Sequence, residues 1–311
     1  MAAEVLLLCP LYEPTQRALE NAHRCHRLWE APDRAALLRS LAHIEVAASS
    51  SGVGIDAATL DALPALKLVA NFGVGVDTYD LADCARRGVT VTNTPDVLTD
   101  EVADLALGLL LATVRQIPQG DRWVRDGRWL KGGLPLTHTM RGRRVGVVGL
   151  GRIGQAIAKR CAAFGVQVGY FGPRRKAGFD YRYFDDIVAL GQWADTMIAA
   201  CPGGPQTHHL ISREALAALG EQGIFVNIAR GSVVDQQALT ELLQSGTIGA
   251  AGLDVFDDEP NVPQALIDLE HCVLLPHVGS ASVHTRLAMG QLVVDNVQAY
   301  VDGRPLLTPA N

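Results

Sequence analysis

The stretch Val145-Gly-Val-Val-Gly149-Leu-Gly151-Arg-Ile-Gly154 is an apolar, β-branched run that ends in a G-x-G-x-x-G turn. It predicts a strand, a phosphate-binding loop and the start of an amphipathic helix. Gly149 permits the tight turn, Gly151 lets the backbone approach a pyrophosphate, and Gly154 lets the helix pack closely on the strand. The free N–H groups and positive dipole end of the helix then face the phosphates. A second apolar run, Val166 to Phe171, completes a βαβ unit. The stretch therefore predicts a dinucleotide-binding fold.

The residues after that second run distinguish between two dinucleotides. An NAD-binding unit usually carries an Asp or Glu about 20 residues beyond the first glycine. This chain has Gly172-Pro-Arg174-Arg175-Lys176 instead. Guanidinium groups bind a 2′-phosphate, which a carboxylate would repel. The turn thus favours NADP(H), with NAD(H) possible, and a merely solvated basic loop is the alternative interpretation.

Length and composition limit the class of protein. The chain has 311 residues, is 48% hydrophobic and has a formal charge of −6. These values suit a two-domain enzyme and give no support for a nucleic-acid partner. Six scattered cysteines without a C-x-x-C pair favour a reducing cytoplasm. We expect no signal peptide and no membrane span, and His23, Cys25 and His26 lack a zinc spacing, so no metal site is predicted.

Apolar runs that alternate with helical patterns predict parallel sheets covered by helices. The expected fold class is α/β with two Rossmann-like domains, a doubly wound parallel-sheet NADP-binding domain and a smaller, discontinuous flavodoxin-like substrate domain. We place the substrate domain at residues 1–94 and 282–311, and the dinucleotide-binding domain at residues 95–281. Two crossings between domains predict a hinged, ligand-binding cleft.

For two segments after the first crossing between domains, the sequence leaves open whether they pack within the chain or contact another molecule. Helix Thr99 to Arg115 has apolar residues around most of its circumference, so it must be buried on more than one side, and a subunit interface is one way to do that. The segment Ile117 to Met140 has little periodicity and is expected to be an irregular arm. Its tryptophans are as compatible with local packing as with contacts to another molecule.

Polar residues follow three expected strands, at the sheet edge where α/β proteins bind ligands. Arg230 follows the run Ile224 to Ile228, Glu259 follows Ala250 to Val255, and His277 follows Cys272 to Leu275. Beside a nicotinamide, Arg230 can hold a carboxylate and polarise the adjacent ketone, and His277 can protonate the alkoxide while Glu259 orients the imidazole. Each residue alone also suits a surface ion pair, a turn or a loop, but the trio fits reduction of a 2-keto acid.

A second glycine-rich loop, Asn71-Phe-Gly73-Val-Gly75-Val-Asp77, lacks the third glycine of a dinucleotide site. Its exposed amides around Val74 and Gly75 can form a nest for a carboxylate. A glycine turn that only ends a strand explains the loop equally well.

Four motifs together resemble the D-2-hydroxyacid dehydrogenase family. They are the glycine motif, Asn227-Ile-Ala-Arg230-Gly231, Asp254-Val-Phe with Glu259-Pro260, and Pro276-His277-Val-Gly279-Ser280. The second glycine-rich loop and the basic turn resemble its NADPH-preferring glyoxylate/hydroxypyruvate reductases, with their 2-ketogluconate-reducing relatives. The resemblance implies that Arg230, Glu259 and His277 are catalytic and that the amides of Val74 and Gly75 bind the substrate carboxylate. It also implies a homodimer built through the Rossmann domains, with Trp129 able to reach the partner.

The predicted cofactor-binding residues come from the glycine loop, the basic turn, and the loops that follow the strands of the second domain. They are Thr99, Gly149, Gly151, Arg152, Ile153, Gly154, Gly172, Arg174, Arg175, Cys201, Pro202, Thr207, Ile228, Ala229, Arg230, Asp254, His277 and Gly279. The family resemblance places Asp254 at the nicotinamide carboxamide, and Cys201, Pro202 and Thr207 along the adenosine. Relatives carry an arginine directly after Ser or Gly in the turn, whereas Pro173 intervenes here.

The expected function is NADPH-dependent reduction of glyoxylate or hydroxypyruvate to a D-2-hydroxy acid. One alternative is a 2-ketogluconate or other bulkier 2-keto acid reductase, or an NAD-linked dehydrogenase of such acids. The other is a dinucleotide-sensing binding protein without turnover.

Overall fold

The structure is a computed structural model that describes residues 2–311. The chain forms two compact units: unit 1 comprises the residues up to Leu98 together with Ser280–Asn311, and unit 2 comprises Thr99–Gly279. Each unit is a parallel sheet with helices packed on it, which confirms the expected α/β class. None of the helices over residues 2–311 combines the length and apolarity that a membrane crossing requires.

Unit 1 contains a five-stranded sheet in the order β2-β1-β3-β4-β5. Its strands are β1 (Glu4–Leu7), β2 (Arg24–Arg27), β3 (Val46–Ser50), β4 (Leu68–Phe72) and β5 (Thr90–Thr92). Its helices are α1 (Glu13–Ala22), α2 (Arg34–Ser40), α3 (Ala57–Ala62), α4 (Leu81–Arg86) and, from the end of the chain, α12 (Val283–Val301). Every residue of the interior strand β4 is buried, as expected for a parallel strand covered on both faces.

Unit 2 contains a seven-stranded sheet in the order β12-β11-β10-β9-β6-β7-β8. Its strands are β6 (Arg144–Val148), β7 (Gln167–Phe171), β8 (Arg182–Phe184), β9 (Thr196–Ala199), β10 (Ile224–Asn227), β11 (Ala250–Leu253) and β12 (Cys272–Leu274). Its helices are α5 (Thr99–Val114), α6 (Ile117–Arg125), α7 (Arg152–Ala162), α8 (Ile187–Trp193), α9 (Arg213–Ala217), α10 (Gln236–Gln244) and α11 (Gln264–Ile267). The chain order reverses beside β6, and such a switch point in a doubly wound sheet is where ligands bind.

Side-chain caps set the first residue of many helices. Asp33, Asp56 and Asp80 each accept a hydrogen bond from a backbone N–H in the first turn of α2, α3 and α4. Asp186 and Asp235 do the same for α8 and α10. These contacts satisfy amides that have no partner inside the helix, so the aspartates between strand and helix mark the element boundaries.

One expectation about local structure was wrong. The segment from Ile117 is not irregular throughout, because residues 117–125 form α6 and Arg128–Leu130 form a 3-10 turn. No residue of α6 is buried, so its apolar pattern carries no core signal. The edge strand β2 (Arg24–Arg27), β8 and α8 are short, partly exposed elements that lack a clear apolar period, so sequence patterns locate them poorly.

Helix α5 is buried by its own unit. It packs against α7 and against strands β10, β11 and β12. A Cβ at Gly252 of β11 would lie 2.7 Å from Thr113 Oγ1 and 2.8 Å from Leu109 Cγ, so side chains of α5 pack directly against the backbone of the sheet at this position. The apolar circumference of α5 is therefore explained by packing within unit 2.

Candidate active site

The three polar residues expected to do chemistry lie at the carboxyl ends of β10, β11 and β12, which are neighbours in the sheet of unit 2. Parallel pairing places those ends on one edge. The loops after the strands then carry Arg230, Glu259 and His277 side by side.

His277 and Glu259 form a direct pair. Nδ1 of His277 lies 2.7 Å from Oε2 of Glu259, while Oε1 of Glu259 accepts the backbone N–H of Phe256 at 3.0 Å. Burial raises the pKa of Glu259, but the hydrogen bond from His277, the Phe256 amide and the nearby charges of His277 and Arg230 outweigh it, so the pKa is lowered overall. With Nδ1 committed to an ionised carboxylate, Nε2 is the nitrogen left to face a ligand.

Asp254 holds the loop that carries the histidine. Its carboxylate is 1% exposed and accepts the backbone N–H groups of Val278 and Gly279, both at 2.8 Å. The backbone N–H of His277 donates to the Asp254 carbonyl at 2.9 Å, and His277 has a left-handed φ of 52°. Burial raises the pKa of Asp254, and these amides and the charge of His277 counteract that rise. This supporting role was missed at the sequence level, because it depends on how the ends of β11 and β12 align.

Arg230 is placed by backbone packing. Nδ2 of Asn227 donates to the Arg230 carbonyl at 2.9 Å, and Oδ1 of Asn227 accepts the N–H of Ala229 at 3.0 Å. A Cβ on Gly231 would meet the carbonyl carbon of Phe256 at 2.0 Å, so the two loops approach backbone to backbone. That close approach brings the guanidinium of Arg230 near enough to Glu259 for its charge to lower the pKa of Glu259.

The glycine loop has the geometry that a pyrophosphate cradle needs. Gly149 has a φ of 95°, and a Cβ there would lie 2.7 Å from Cys201 Cα. A Cβ on Gly154 would lie 1.9 Å from the Gly149 carbonyl oxygen, whereas a Cβ on Gly151 meets nothing within 4 Å. Gly151 begins α7 without a side-chain cap, so open space faces the first amides of the helix. The loop therefore suits a dinucleotide phosphate.

The basic turn follows β7, the strand next to β6. Its backbone is fixed by two tyrosines: Tyr183 donates to the Gly172 carbonyl at 3.2 Å, and the Lys176 N–H donates to the Tyr170 hydroxyl at 2.8 Å. Arg174 and Arg175 are exposed, and no carboxylate among residues 2–311 lies within ion-pair distance of either. Their charges are available to an anionic ligand.

The remaining predicted cofactor residues border the same edge of unit 2. Cys201 and Pro202 follow β9, and Thr207 Oγ1 donates to the Pro202 carbonyl at 2.7 Å, which closes that loop. Burial raises the pKa of the Cys201 thiol to about 11, so this cysteine stays neutral. The other members lie at the start of α5 (Thr99), at the start of α7 (Arg152 and Ile153), after β10 (Ile228 and Ala229), and after β12 (Gly279).

Val74 and Gly75 lie in unit 1, in the loop after β4. Asn71 Nδ2 donates to the carbonyls of Gly73 and Gly75 at 3.1 and 3.0 Å, and Ser51 Oγ donates to the Gly75 carbonyl at 2.7 Å. Asn93 Nδ2 donates to the Val74 carbonyl at 3.0 Å. The amides of Val74 and Gly75 donate to no acceptor among residues 2–311. A loop whose carbonyls are all held and whose amides are open has the donors that an anion nest needs, which favours that interpretation over a plain turn.

Comparison with known proteins agrees with this geometry. The model of the D-isomer specific 2-hydroxyacid dehydrogenase family, NAD binding domain, matches residues 107–279. A hydroxyphenylpyruvate reductase of Plectranthus scutellarioides is 46% identical over 309 residues, which cover 99% of this chain and 99% of the relative. The chain belongs to the D-isomer specific 2-hydroxyacid dehydrogenase family.

Other members of the family match along their whole length. A 2-ketogluconate reductase of Gluconobacter oxydans is 40% identical over 98% of both chains. The crystal structure of an NADPH-dependent glyoxylate/hydroxypyruvate reductase from Sinorhizobium meliloti, in complex with NADP and malonate, superposes with a TM-score of 0.94 at 44% identity, covering 100% of this chain and 97% of that one. The resemblance drawn from the motifs is confirmed, and the chain is an oxidoreductase with a nicotinamide dinucleotide cofactor.

Proposed function

We propose that this family member reduces small 2-keto acids, glyoxylate or hydroxypyruvate first, to D-2-hydroxy acids with NADPH. The observation that carries the proposal is the His277 Nδ1 to Glu259 Oε2 contact of 2.7 Å beside Arg230, at three adjacent strand ends. The glyoxylate/hydroxypyruvate and 2-ketogluconate reductases among the relatives support the reaction type.

The proposed roles follow from the contacts. Arg230 binds the substrate carboxylate and polarises the keto oxygen, since its fixed guanidinium offers paired donors. His277 Nε2 donates a proton to that oxygen, and Glu259 keeps the ring oriented and stabilises its charged form. The amides of Val74 and Gly75 are proposed as carboxylate donors in unit 1, and the loop from Gly149 to Gly154 as the holder of the pyrophosphate. The bound nicotinamide supplies the hydride.

NADPH preference is the finer part of the proposal. It rests on Arg174 and Arg175, which are exposed and have no protein carboxylate to neutralise them among residues 2–311. Pro173 moves the first arginine by one residue relative to related enzymes, and the turn remains anchored by Tyr170 and Tyr183.

We also propose that the chain acts as a homodimer through the segment 117–136 of unit 2. Five large apolar side chains of this segment are exposed: Ile117, Val124, Trp129, Leu130 and Leu136, with Leu130 at 93% exposure. Exposed large apolar side chains concentrated in one segment are typical of an interaction surface. Sedimentation or light scattering of the wild type and of Leu130→Glu tests it: a dimer that the variant dissociates supports the proposal, and a monomeric wild type contradicts it.

The test of the function is NADPH oxidation, followed by absorbance, with glyoxylate, hydroxypyruvate, pyruvate and 2-ketogluconate, each repeated with NADH. We expect fastest turnover with NADPH and a two- or three-carbon acid. His277→Ala should reduce kcat about 10²- to 10⁴-fold while NADPH affinity, measured by fluorescence titration, stays the same. His138→Ala, at an exposed histidine of the same unit, is the matched control.

Other results would select the alternatives. Preferential turnover of 2-ketogluconate, or turnover with NADH only, would identify the reductase of bulkier acids or the NAD-linked dehydrogenase. Absence of turnover with every acid would indicate a dinucleotide-sensing protein, which the named relatives do not favour. A cytoplasmic location stays a prediction from the six cysteines, all of them unpaired.

A further inference from the structure

Arg286, in the first turn of α12, is a half-buried arginine without an anionic partner. No carboxylate oxygen lies within ion-pair distance of it among residues 2–311, and its guanidinium donates no hydrogen bond to any of these residues. Its guanidinium carbon instead lies 5.5 Å from the centre of the Phe72 ring. Arg144, which is also half-buried, is by contrast paired with Asp195 at 2.9 Å. Partly desolvated charges are normally paired, so the unpaired guanidinium needs an explanation.

The surroundings of Arg286 do not supply the missing charge. Burial lowers the pKa of Arg286, and the nearby hydroxyl of Tyr12 opposes that shift. Packing against the face of Phe72 stabilises a cation by cation–π attraction but leaves its N–H donors without acceptors. An oxygen-bearing ligand would satisfy them.

The position of Arg286 connects it to the proposed substrate site within unit 1. Phe72 is the last residue of β4, and Val74 and Gly75, whose amides are open, follow after one residue. Because the guanidinium packs against the Phe72 ring, Arg286 and the amides of Val74 and Gly75 border the same carboxyl end of β4.

Resting on the proposed function, we infer that Arg286 is a specificity-determining residue that binds the hydroxyl or carboxylate oxygen on the carbon beyond the keto group of the substrate. The amides of Val74 and Gly75 hold the carboxylate at one end, and Arg286 binds the oxygen at the other. A substrate with a methyl group there leaves the guanidinium unsatisfied, and a site built to hydrogen-bond a substrate group discriminates strongly against analogues that lack it. The chain should therefore prefer hydroxypyruvate to pyruvate, which differ only by that hydroxyl.

The experiment compares kcat/KM for hydroxypyruvate and pyruvate in the wild type, Arg286→Met, Arg286→Lys and the control Arg304→Met. Met keeps most of the length and the packing on Phe72 but removes the donors. Arg304 lies just beyond the other end of α12, is exposed and pairs with Asp302. We expect Arg286→Met to lower kcat/KM for hydroxypyruvate about 10- to 100-fold and to leave pyruvate nearly unchanged. Arg286→Lys should give an intermediate ratio, and Arg304→Met the wild-type ratio.

A purely structural role gives a different pattern, in which both substrates lose activity equally and the melting temperature falls. That pattern, or an unchanged ratio, overturns the inference while the proposed function stands. Binding of D-glycerate and D-lactate, measured by calorimetry on the NADP-loaded protein, separates the two proposals. If the wild type turns over neither keto acid, the proposed function fails. A preference for D-glycerate that Arg286→Met removes then still supports Arg286, and equal or absent binding of the two acids refutes it.

Discussion

Replacing Glu259 with Gln tests whether the carboxylate acts through His277. The 2.7 Å contact lies in the range of charge-assisted hydrogen bonds, which contribute about 1.5–3 kcal/mol, against about 0.5–1.5 kcal/mol for a neutral one. Gln keeps an acceptor oxygen for Nδ1, so only the charge is lost. Because the side chains of His277 and Glu259 are 46% and 33% exposed, water screens part of the attraction, and we take the loss as about 1–2 kcal/mol. The expected result is a kcat/KM lower by about 5- to 30-fold at neutral pH.

The pH dependence makes this prediction specific. The pKa of Glu259 is lowered by its partners, so the carboxylate stays ionised through the range in which histidine titrates. Because Gln carries no charge at any pH, the deficit of Glu259→Gln should be present while the wild-type Glu259 is ionised, and it should narrow as the pH falls through the lowered pKa of Glu259. The assay is kcat/KM for hydroxypyruvate with NADPH, from neutral pH down to below 4.5, the ordinary pKa of this carboxyl. Asp258→Asn, the same change at the neighbouring exposed acid, is the control. A deficit that does not vary with pH, or none at all, would refute the reasoning.

Three further predictions separate stability from ligand binding. Gly149→Ala places a Cβ at positive φ against backbone, so it should lower the free energy of unfolding by about 1–3 kcal/mol, which corresponds to about 2–4 °C in Tm per kcal/mol. Gly151→Ala, whose Cβ would meet nothing within 4 Å, should keep the wild-type Tm and weaken only NADPH binding in a fluorescence titration. Equal melting temperatures for the two variants would contradict this prediction. Arg174→Ala with Arg175→Ala should raise KM for NADPH about 10- to 100-fold and leave KM for NADH unchanged, and parallel increases would mean that the turn is only solvated surface. Burial raises the pKa of Asp195, but its partner Arg144 lowers that pKa overall from 3.8, so the stabilisation from the ion pair is present above pH 3.8 and is lost as the pH falls through the folded-state pKa. Asp195→Asn should therefore lower Tm at neutral pH by an amount that disappears on acidification. A difference in Tm that stays constant with pH would argue against the ion pair.

The glycine loop could be predicted from sequence because backbone sterics leave few solutions. Gly149 has a φ that disfavours other residues, and Gly154 has no room for a Cβ. The glycines of the motif therefore predict this backbone geometry directly. The same holds for residues just beyond buried strands, since parallel pairing brings strand ends to one edge. Arg230, Glu259 and His277 were identified on that basis, and their catalytic roles stay predictions.

Other parts of the site depend on contacts between distant segments. The pairing of Asp254 with the amides of Val278 and Gly279 requires the register of β11 against β12, which no local pattern encodes. Arg286 lies in the first turn of an ordinary helix, and only the folded unit shows that its guanidinium lacks a carboxylate partner among residues 2–311. Helix α6 lacks a buried face, so it has no core-facing apolar stripe by which sequence could distinguish it from an arm.

The buried carboxylate of Asp254 has a consequence for how the protein meets its ligands. Because it is bonded to two amides of the His277 loop, the free energy that orders this loop is supplied when the sheet folds, before any ligand arrives. The histidine backbone is thus part of the rigid framework of unit 2. Ligand binding therefore need not supply the free energy that orders this loop. A substitution at Asp254 that loosens the loop should weaken ligand binding and give the His277 side chain several positions, even in molecules that remain folded.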